Sequence, residues 1–331
     1  MKKNATKHML EANEYDTIFS VVIPLFNKVK TLQRAIASVQ AVIRNRNIAI
    51  FVVNDGSTDG SGALLDFLAL SDKRVKAIHQ DNAGASSARN AGIQASNSEY
   101  ILLLDADDFW LNGHLDVIEA MVQLRPASAL HAAAYAKNAG GKIIDQDFYG
   151  TPKDESGILQ AYFLSMSYGA MPVSASSVCI PRLTIRKIGD FDLGKTHGED
   201  RIYWAKCALH GDINWSPEVS AIYDTDADNR STATWTPVKA CAYLDFLKDS
   251  KKALIDIPNS LETDGLSGML KENIMSETFY LAQNCRSRGF DKEFETLCND
   301  LLMHGWPAPE ACPLRTLMEV SIPSLTAHCR H

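Results

Sequence analysis

The chain has 331 residues, 46% hydrophobic and 22% charged, which suits one large or two smaller globular domains whose core needs no disulfide or metal support. A formal charge of −7 leaves no basic excess to meet a phosphate backbone, which excludes a general nucleic-acid binder. The seven cysteines are odd in number and form no C-x-x-C pair, so reduced thiols in a cytoplasmic protein are expected rather than a disulfide framework.

The first sixteen residues are polar, so no secretory leader is expected, and no apolar run reaches the ~20 residues of a membrane span. A soluble protein, or one attached to a membrane surface, follows. Short apolar, β-rich runs then occur at Phe19–Phe26, Ile48–Val53, Val75–His79 and Tyr100–Leu104. Helical spacing fills the intervals at Lys30–Arg44, Gly60–Leu70 and Ala85–Ser96. Continuous apolar strands are those covered on both faces, so the alternation predicts an α/β, Rossmann-like, mostly parallel sheet with flanking helices. Ligands of such sheets sit at the carboxyl ends of the strands.

Beyond Leu124 the pattern loosens. Strands are expected at Ala129–Ala136 and Lys142–Phe148, on either side of Gly140-Gly141, and at Ser174–Ile180. A helix opens at Gly198-Glu199-Asp200 and runs to His210, and a strand follows at Ile213–Tyr223. From Pro237 the periodicity is helical, over Ala240–Leu254, Leu266–Arg288 and Asp291–His304, which predicts a helical C-terminal region.

Each N-terminal strand tip carries small, polar or acidic residues, and together they outline a polar crevice where a nucleotide could lie. Asp55 suits hydrogen bonding to a base edge or ribose, and Asp55-Gly56-Ser57 suits a plain turn and helix cap equally well. Arg89, between Gly84 and Gly92, offers a charge to phosphate or base; taken alone it reads better as a solvated helical arginine. Asp105 and Asp107 form one of five D-x-D patterns, and only this one ends an apolar strand at the ligand edge. Carboxylates there suit Mg²⁺ or Mn²⁺, which would neutralise a diphosphate leaving group. Asp200 is placed to take a proton from an attacking hydroxyl. Spacing alone favours a helix-start role, where the dipole lowers a carboxylate pKa and does not help a base. Trp110, Trp204, Trp215 and Trp235 are core residues by default, and stacking on sugar rings is the alternative.

The series VVIPLFN, VVNDGSTDGS, DNAGASSARNAG, LLLDADD and GED, in that order, resembles the family 2 glycosyltransferases of GT-A fold, over about Phe19 to Thr232. The resemblance implies a GT-A domain over residues 1–236, with a nucleotide half at 18–110 and an acceptor half at 111–236. Residues 237–331 form the helical region. It places Pro24 and Asn27 beside the nucleoside and Asp55 on the base, typically uracil. Asn82, Gly84 and Arg89 would line the nucleotide pocket, with Asp105 near the ribose and Asp107 on a Mn²⁺ or Mg²⁺ ion bridging the diphosphate. Asp108 would support the loop. Asp200 would be the general base, with Glu199 adjacent, in a single inverting displacement.

Many relatives carry a histidine after the strand corresponding to Ile213–Tyr223; here Asp224 to Thr232 contain none. Asp226 as a substitute ligand and Arg230 as a diphosphate contact both fit. The implied partners are a nucleotide-sugar donor, a UDP-sugar above others, and a glycan or lipid-linked acceptor. The alternative is a nucleotide-sugar-binding module of the same fold without turnover. Dehydrogenases and P-loop kinases are poor readings, because neither G-x-G-x-x-G nor G-x-x-x-x-G-K-[ST] stands where it is required. Lys248, Lys251 and Lys252 fit either a peripheral contact with the inner face of the cell membrane or an ordinary solvated helix face.

Overall fold

The computed structural model describes residues 17–44, 46–168, 170–195, 197–227, 236–255 and 261–303. The chain divides into two compact units, Met1–Trp235 and Thr236–His331.

In the first unit β1 (Thr17–Leu25), β2 (Ala49–Asp55), β3 (Val75–Gln80) and β4 (Ser98–Leu103) form a parallel half-sheet in the order β3-β2-β1-β4. Val22, Ile23 and Leu25 of β1 are wholly buried, the result of cover on both faces. Helix α1 (Leu32–Ile43) buries Leu32, Ala35, Ile36, Val39, Val42 and Ile43, a stripe at the 3.6-residue period. Helices α2 (Ser61–Ser71) and α3 (Ala85–Ala95) complete the crossovers. Gly92 lets α3 approach the sheet, since a Cβ there would lie 2.4 Å from Val22 Cγ1. The chain runs outward from β1 to β3 and returns to β4 on the other side of β1. That reversal creates a switch point between β1 and β4, where doubly wound sheets bind ligands.

The other half of the sheet is mixed. After β5 (Phe109–Trp110) and α4 (His114–Leu124) come β6 (Leu130–Ala139), β7 (Lys142–Asp145), β8 (Gly157–Ile158), the short α5 (Tyr162–Ser165), β9 (Val178–Pro181), α6 (Arg182–Ile188), α7 (Glu199–His210) and β10 (Ile213–Asp224). Strand β9 lies antiparallel between β4 and β6, and β10 is parallel to β6. Two reversals restore the direction, so β6 and β10 end on the same edge as β1 and β4.

Strand β6 forms through an alanine-rich segment of weak β propensity because it is buried between β9 and β10, and tertiary context outweighs propensity. The strand expected at Ser174–Ile180 begins instead with a 3-10 turn at Ala175–Ser177, where the Ser174 hydroxyl accepts from Ser176 N–H. Helices α4 and α6 were not distinguished in the sequence. Trp110, Trp204 and Trp215 are buried core residues rather than sugar platforms, while Trp235 lies outside the described residues. Cys179, Cys207 and Cys285 are buried free thiols.

In the second unit α9 (Leu261–Ser287) packs against both α8 (Pro237–Ile255) and α10 (Asp291–Met303). Tyr243, Leu247, Leu270, Ile274, Leu281 and Phe294 are buried there. The Tyr243 hydroxyl donates to Asn273 Oδ1 at 2.8 Å. Lys252 is exposed, 3.6 Å from Asp249. Among the described residues no helix is long and apolar enough to cross a membrane.

Candidate active site

At the tip of β2, Asp55 is buried and holds the loop that leads from β3 into α3. Its Oδ1 accepts from Gln80 Nε2 at 2.6 Å and from Ala83 N–H at 2.9 Å, and its Oδ2 accepts from Gly84 N–H at 2.8 Å. A carboxylate offers about four lone-pair sites, so acceptor capacity remains for a ligand. Asn82 is exposed, and its Nδ2 donates to the Asp55 carbonyl at 3.1 Å. Gly56 is obligatory beneath it. Its φ is +72°, and a Cβ would meet Asn82 N at 2.8 Å. The turn reading of Asp55 is thus what the hydrogen bonds show. Pro24 is half-buried in β1 opposite Val53. Asn27, in the left-handed region at φ 52°, accepts from Thr58 N–H at 2.8 Å and so ties the β1 loop to the β2 loop.

The β4 tip lies beside this, because Leu104 N–H donates to the Val22 carbonyl at 3.1 Å. Asp105 and Asp107 are half-buried, and Asp108 is buried. Asp108 Oδ2 receives the Ser176 hydroxyl, and Oδ1 receives Asp224 N–H at 2.9 Å. Asp108 thus fastens the loop to the 3-10 turn and to β10. Burial, with Asp107 and Asp105 nearby, pushes its carboxyl well above the ordinary range. Asp107 is pushed up by burial and by Asp105, against the pull of Lys28, whose Nζ lies 2.7 Å from Asp107 Oδ2.

Arg89 corrects the sequence expectation of a solvated helical arginine. It is buried in the middle of α3, with Nη2 3.0 Å from Asp105 and Nη1 3.0 Å from Glu199. It therefore joins the β4 tip to the start of α7. Asp200 follows on α7, half-buried, and its Oδ1 accepts from Arg201 N–H at 2.7 Å. Desolvation first, then Glu199 and Asp105, push its carboxyl up to about 6 against the pull of Arg89. The expectation that the helix dipole would lower it is overturned, since crowding by protein and acids outweighs a dipole effect worth under about 1 kcal/mol at exposed sites.

The β10 tip carries Asp224, whose Oδ1 accepts from Asn138 Nδ2 at 2.9 Å and whose Oδ2 lies 2.5 Å from Arg34 Nη2. Asp226 accepts from Gly140 N–H at 2.8 Å and Gly141 N–H at 3.0 Å, closing the β6–β7 turn. Those bonds hold its carboxyl below the usual range. Arg230 lies outside the described residues. A cavity of about 380 Å³ opens here, with Lys28, Lys30 and Thr31 on one side and Asp224 and Asp226 on the other.

Along this edge Asp107 is paired with Lys28, Asp224 with Arg34, and Asp105 and Glu199 with Arg89. The Lys28 ammonium already occupies Asp107 Oδ2. The donor set fits a hard divalent ion. Among the described residues no three His, Cys, Asp or Glu side chains converge to hold one without help. Such an ion would depend on Asp107 together with phosphate oxygens of a ligand.

Lys28, Arg34 and Ser176 were missed in the sequence. Only the position of Lys28, next to Asn27, offered a signal.

Residues 20–163 match the family model described as Glycosyl transferase family 2. Over that stretch the chain is similar to the glycosyltransferases of family 2. Curated proteins similar to this chain include glycosyltransferase GlyG of Streptococcus pneumoniae, 35% identical over 34% of the chain and 38% of GlyG. An uncharacterised glycosyltransferase of Rickettsia conorii is 28% identical over 60% of the chain and 31% of the relative. The chain therefore spans about a third of the length of these relatives.

Among solved structures, residues 1–349 of TarS of S. aureus, in complex with UDP-GlcNAc, superpose with a TM-score of 0.67 at 16% identity. That superposition covers 86% of this chain and 80% of TarS 1–349. The mannosyltransferase PcManGT of Pyrobaculum calidifontis, in complex with GDP-Man and Mn2+, gives a TM-score of 0.58 at 13% identity, over 92% of this chain and 82% of that one. These likenesses establish the GT-A fold of the chain.

Proposed function

We propose that this chain is an inverting glycosyltransferase that moves a sugar from a nucleotide diphosphate sugar, a UDP-sugar by preference, to a hydroxyl of a glycan or lipid-linked acceptor. The observation that carries the reading is the pairing of Asp200 with the β4 tip. A carboxyl raised to about 6 stands on the same edge as Asp105 and Asp107, and its neighbour Glu199 is linked to Asp105 through Arg89. A base with a pKa near the working pH is ionised and still holds a proton well.

In the proposed step Asp200 accepts the acceptor's hydroxyl proton as that oxygen bonds to the anomeric carbon. The bond from that carbon to the diphosphate oxygen breaks, and the electron pair leaves with the diphosphate. Asp55, with the Asn82–Gly84 loop it holds, would receive the base, and Pro24 and Asn27 would flank the nucleoside. Asp105 would face the ribose. Asp107 would hold Mn²⁺ or Mg²⁺, which when bound neutralises charge on the diphosphate. The nucleotide complexes of TarS and PcManGT, and the Mn2+ of the latter, support this choice of ligands by analogy of fold. Domain roles follow the same reading, with the nucleotide half at 18–110, the acceptor half at 111–236 and a helical region of no assigned chemistry at 237–331.

Calorimetric titration of UDP, GDP and dTDP with and without Mn²⁺, on wild type and Asp107→Asn, tests the donor site. Binding strengthened by metal in wild type and not in the variant is expected. Metal-indifferent binding in both proteins would remove the cation site and favour a binding module without turnover. Failure of every nucleotide to bind would refute the reading.

A further inference from the structure

We propose that Lys28 and Arg34 form a protein-borne cationic pair that grips the diphosphate beside Asp107, so that part of the diphosphate affinity needs no divalent ion. The inference rests on the nucleotide reading above and extends it to the charge balance of the same site.

Both cations come from one stretch of chain, the loop after β1 and the first turn of α1, and both converge on Asp107. Lys28 Nζ lies 2.7 Å from the Oδ2 of that residue, and only 12% of the lysine side chain is exposed. Arg34 Nη2 donates to the Asp107 carbonyl at 2.6 Å and reaches Asp224 Oδ2 at 2.5 Å. Its guanidinium lies over the Phe109 ring at 4.6 Å from the centroid, which fixes its plane. The cavity of about 380 Å³ runs along this loop and has Lys28 in its wall, a volume within the range of small-ligand pockets.

A carboxylate that relied on a divalent ion alone would gain nothing from an ammonium on one of its two oxygens, because the two cations repel. The arrangement is consistent if the ammonium has an anion to turn to when metal and nucleotide arrive. A lysine on a flexible four-carbon stem can make that turn, while the planar arginine stays as a fixed donor. At the end of β10, Asp224 is paired with Arg34.

Titrations of the full chain in EDTA, with UDP against uridine and GDP against guanosine, isolate the diphosphate contribution. Wild type is expected to prefer one nucleotide over its nucleoside. Lys28→Gln and Arg34→Gln should each cut that preference about tenfold, the worth of a hydrogen bond to a charged group. Lys28→Arg should restore most of it. Lys28→Gln should also bind Mn²⁺ alone more tightly than wild type, since the competing ammonium is gone.

Unchanged nucleoside affinity certifies that a variant is folded. If Arg34→Gln fails that control, the two Lys28 variants decide. An undiminished preference in Lys28→Gln, or no preference in wild type without metal, overturns the pair while nucleotide binding with Mn²⁺ keeps the enzyme reading. Loss of nucleotide and nucleoside binding under every condition overturns both.

Discussion

The tips of β2 and β4 are both acidic, and they manage their charge in different ways. Asp55 at the β2 tip is met by neutral donors, namely Gln80 Nε2 and the N–H groups of Ala83 and Gly84, all from the neighbouring strand and loop. Those bonds fold a loop. At the β4 tip Asp105 and Asp107 are met by the cationic side chains of Arg89 and Lys28, and Asp108 is buried beside them. Burial there, with neighbouring carboxylates added, raises the Asp107 and Asp108 carboxyls. A strand tip satisfied by backbone donors is shaped to present a surface.

The largest effect that would sharpen this contrast lies across from the β4 tip. Asp200→Asn should lower kcat by about 10²–10⁴, the usual worth of a general base, with UDP affinity in calorimetry nearly unchanged. A variant that kept wild-type turnover would remove Asp200 from the mechanism. Next, Arg89→Met should destabilise the first unit by about 3–5 kcal/mol in denaturant unfolding, because it strands Asp105 and Glu199 beside one another. The equivalent loss at the β2 tip should be small. Gln80→Met removes one neutral donor and should cost about 1 kcal/mol. Equal costs at the two tips would erase the distinction.

The pH dependence has a definite sign. In the proposed step Asp200 must be ionised to accept a proton, and burial pushes its carboxyl up to about 6. kcat/KM should therefore fall tenfold per pH unit on acidification below about 6 and be level above it. For stability the direction is opposite. A raised carboxyl binds its proton more tightly in the folded state, so its contribution is present below the unfolded value and is lost as pH rises through about 6. Asp200→Asn should accordingly melt roughly 2–5 °C above wild type at pH 8 and show no such gain at pH 4. A variant that melted lower at both pH values would show that Asp200 is held for structure rather than kept under strain for chemistry.

The sequence by itself determined the α/β alternation, the four parallel strands and the identity of the acidic tip at Asp105 to Asp108. Those are local properties: apolar runs covered on two faces, helical stripes such as Leu32, Ala35, Ile36 and Val39, and polar residues where a strand must stop. Helices α4 and α6 were not legible, and neither was the true start of β9, where the Ser174 hydroxyl diverts the backbone into a 3-10 turn. Which charges meet was decided only by tertiary structure. Arg89 finds Glu199 110 residues away, Lys28 finds Asp107 79 residues away, and Arg34 finds the Asp107 carbonyl at a separation of 73. Periodicity carries no information about such pairings, because any surface cation satisfies a local pattern equally well. The pKa of Asp200 was misjudged for the same reason. The helix dipole is visible in sequence, whereas the protein mass and the carboxylates that outweigh it arrive only when α7, α3 and the β4 tip are brought to one edge of the sheet.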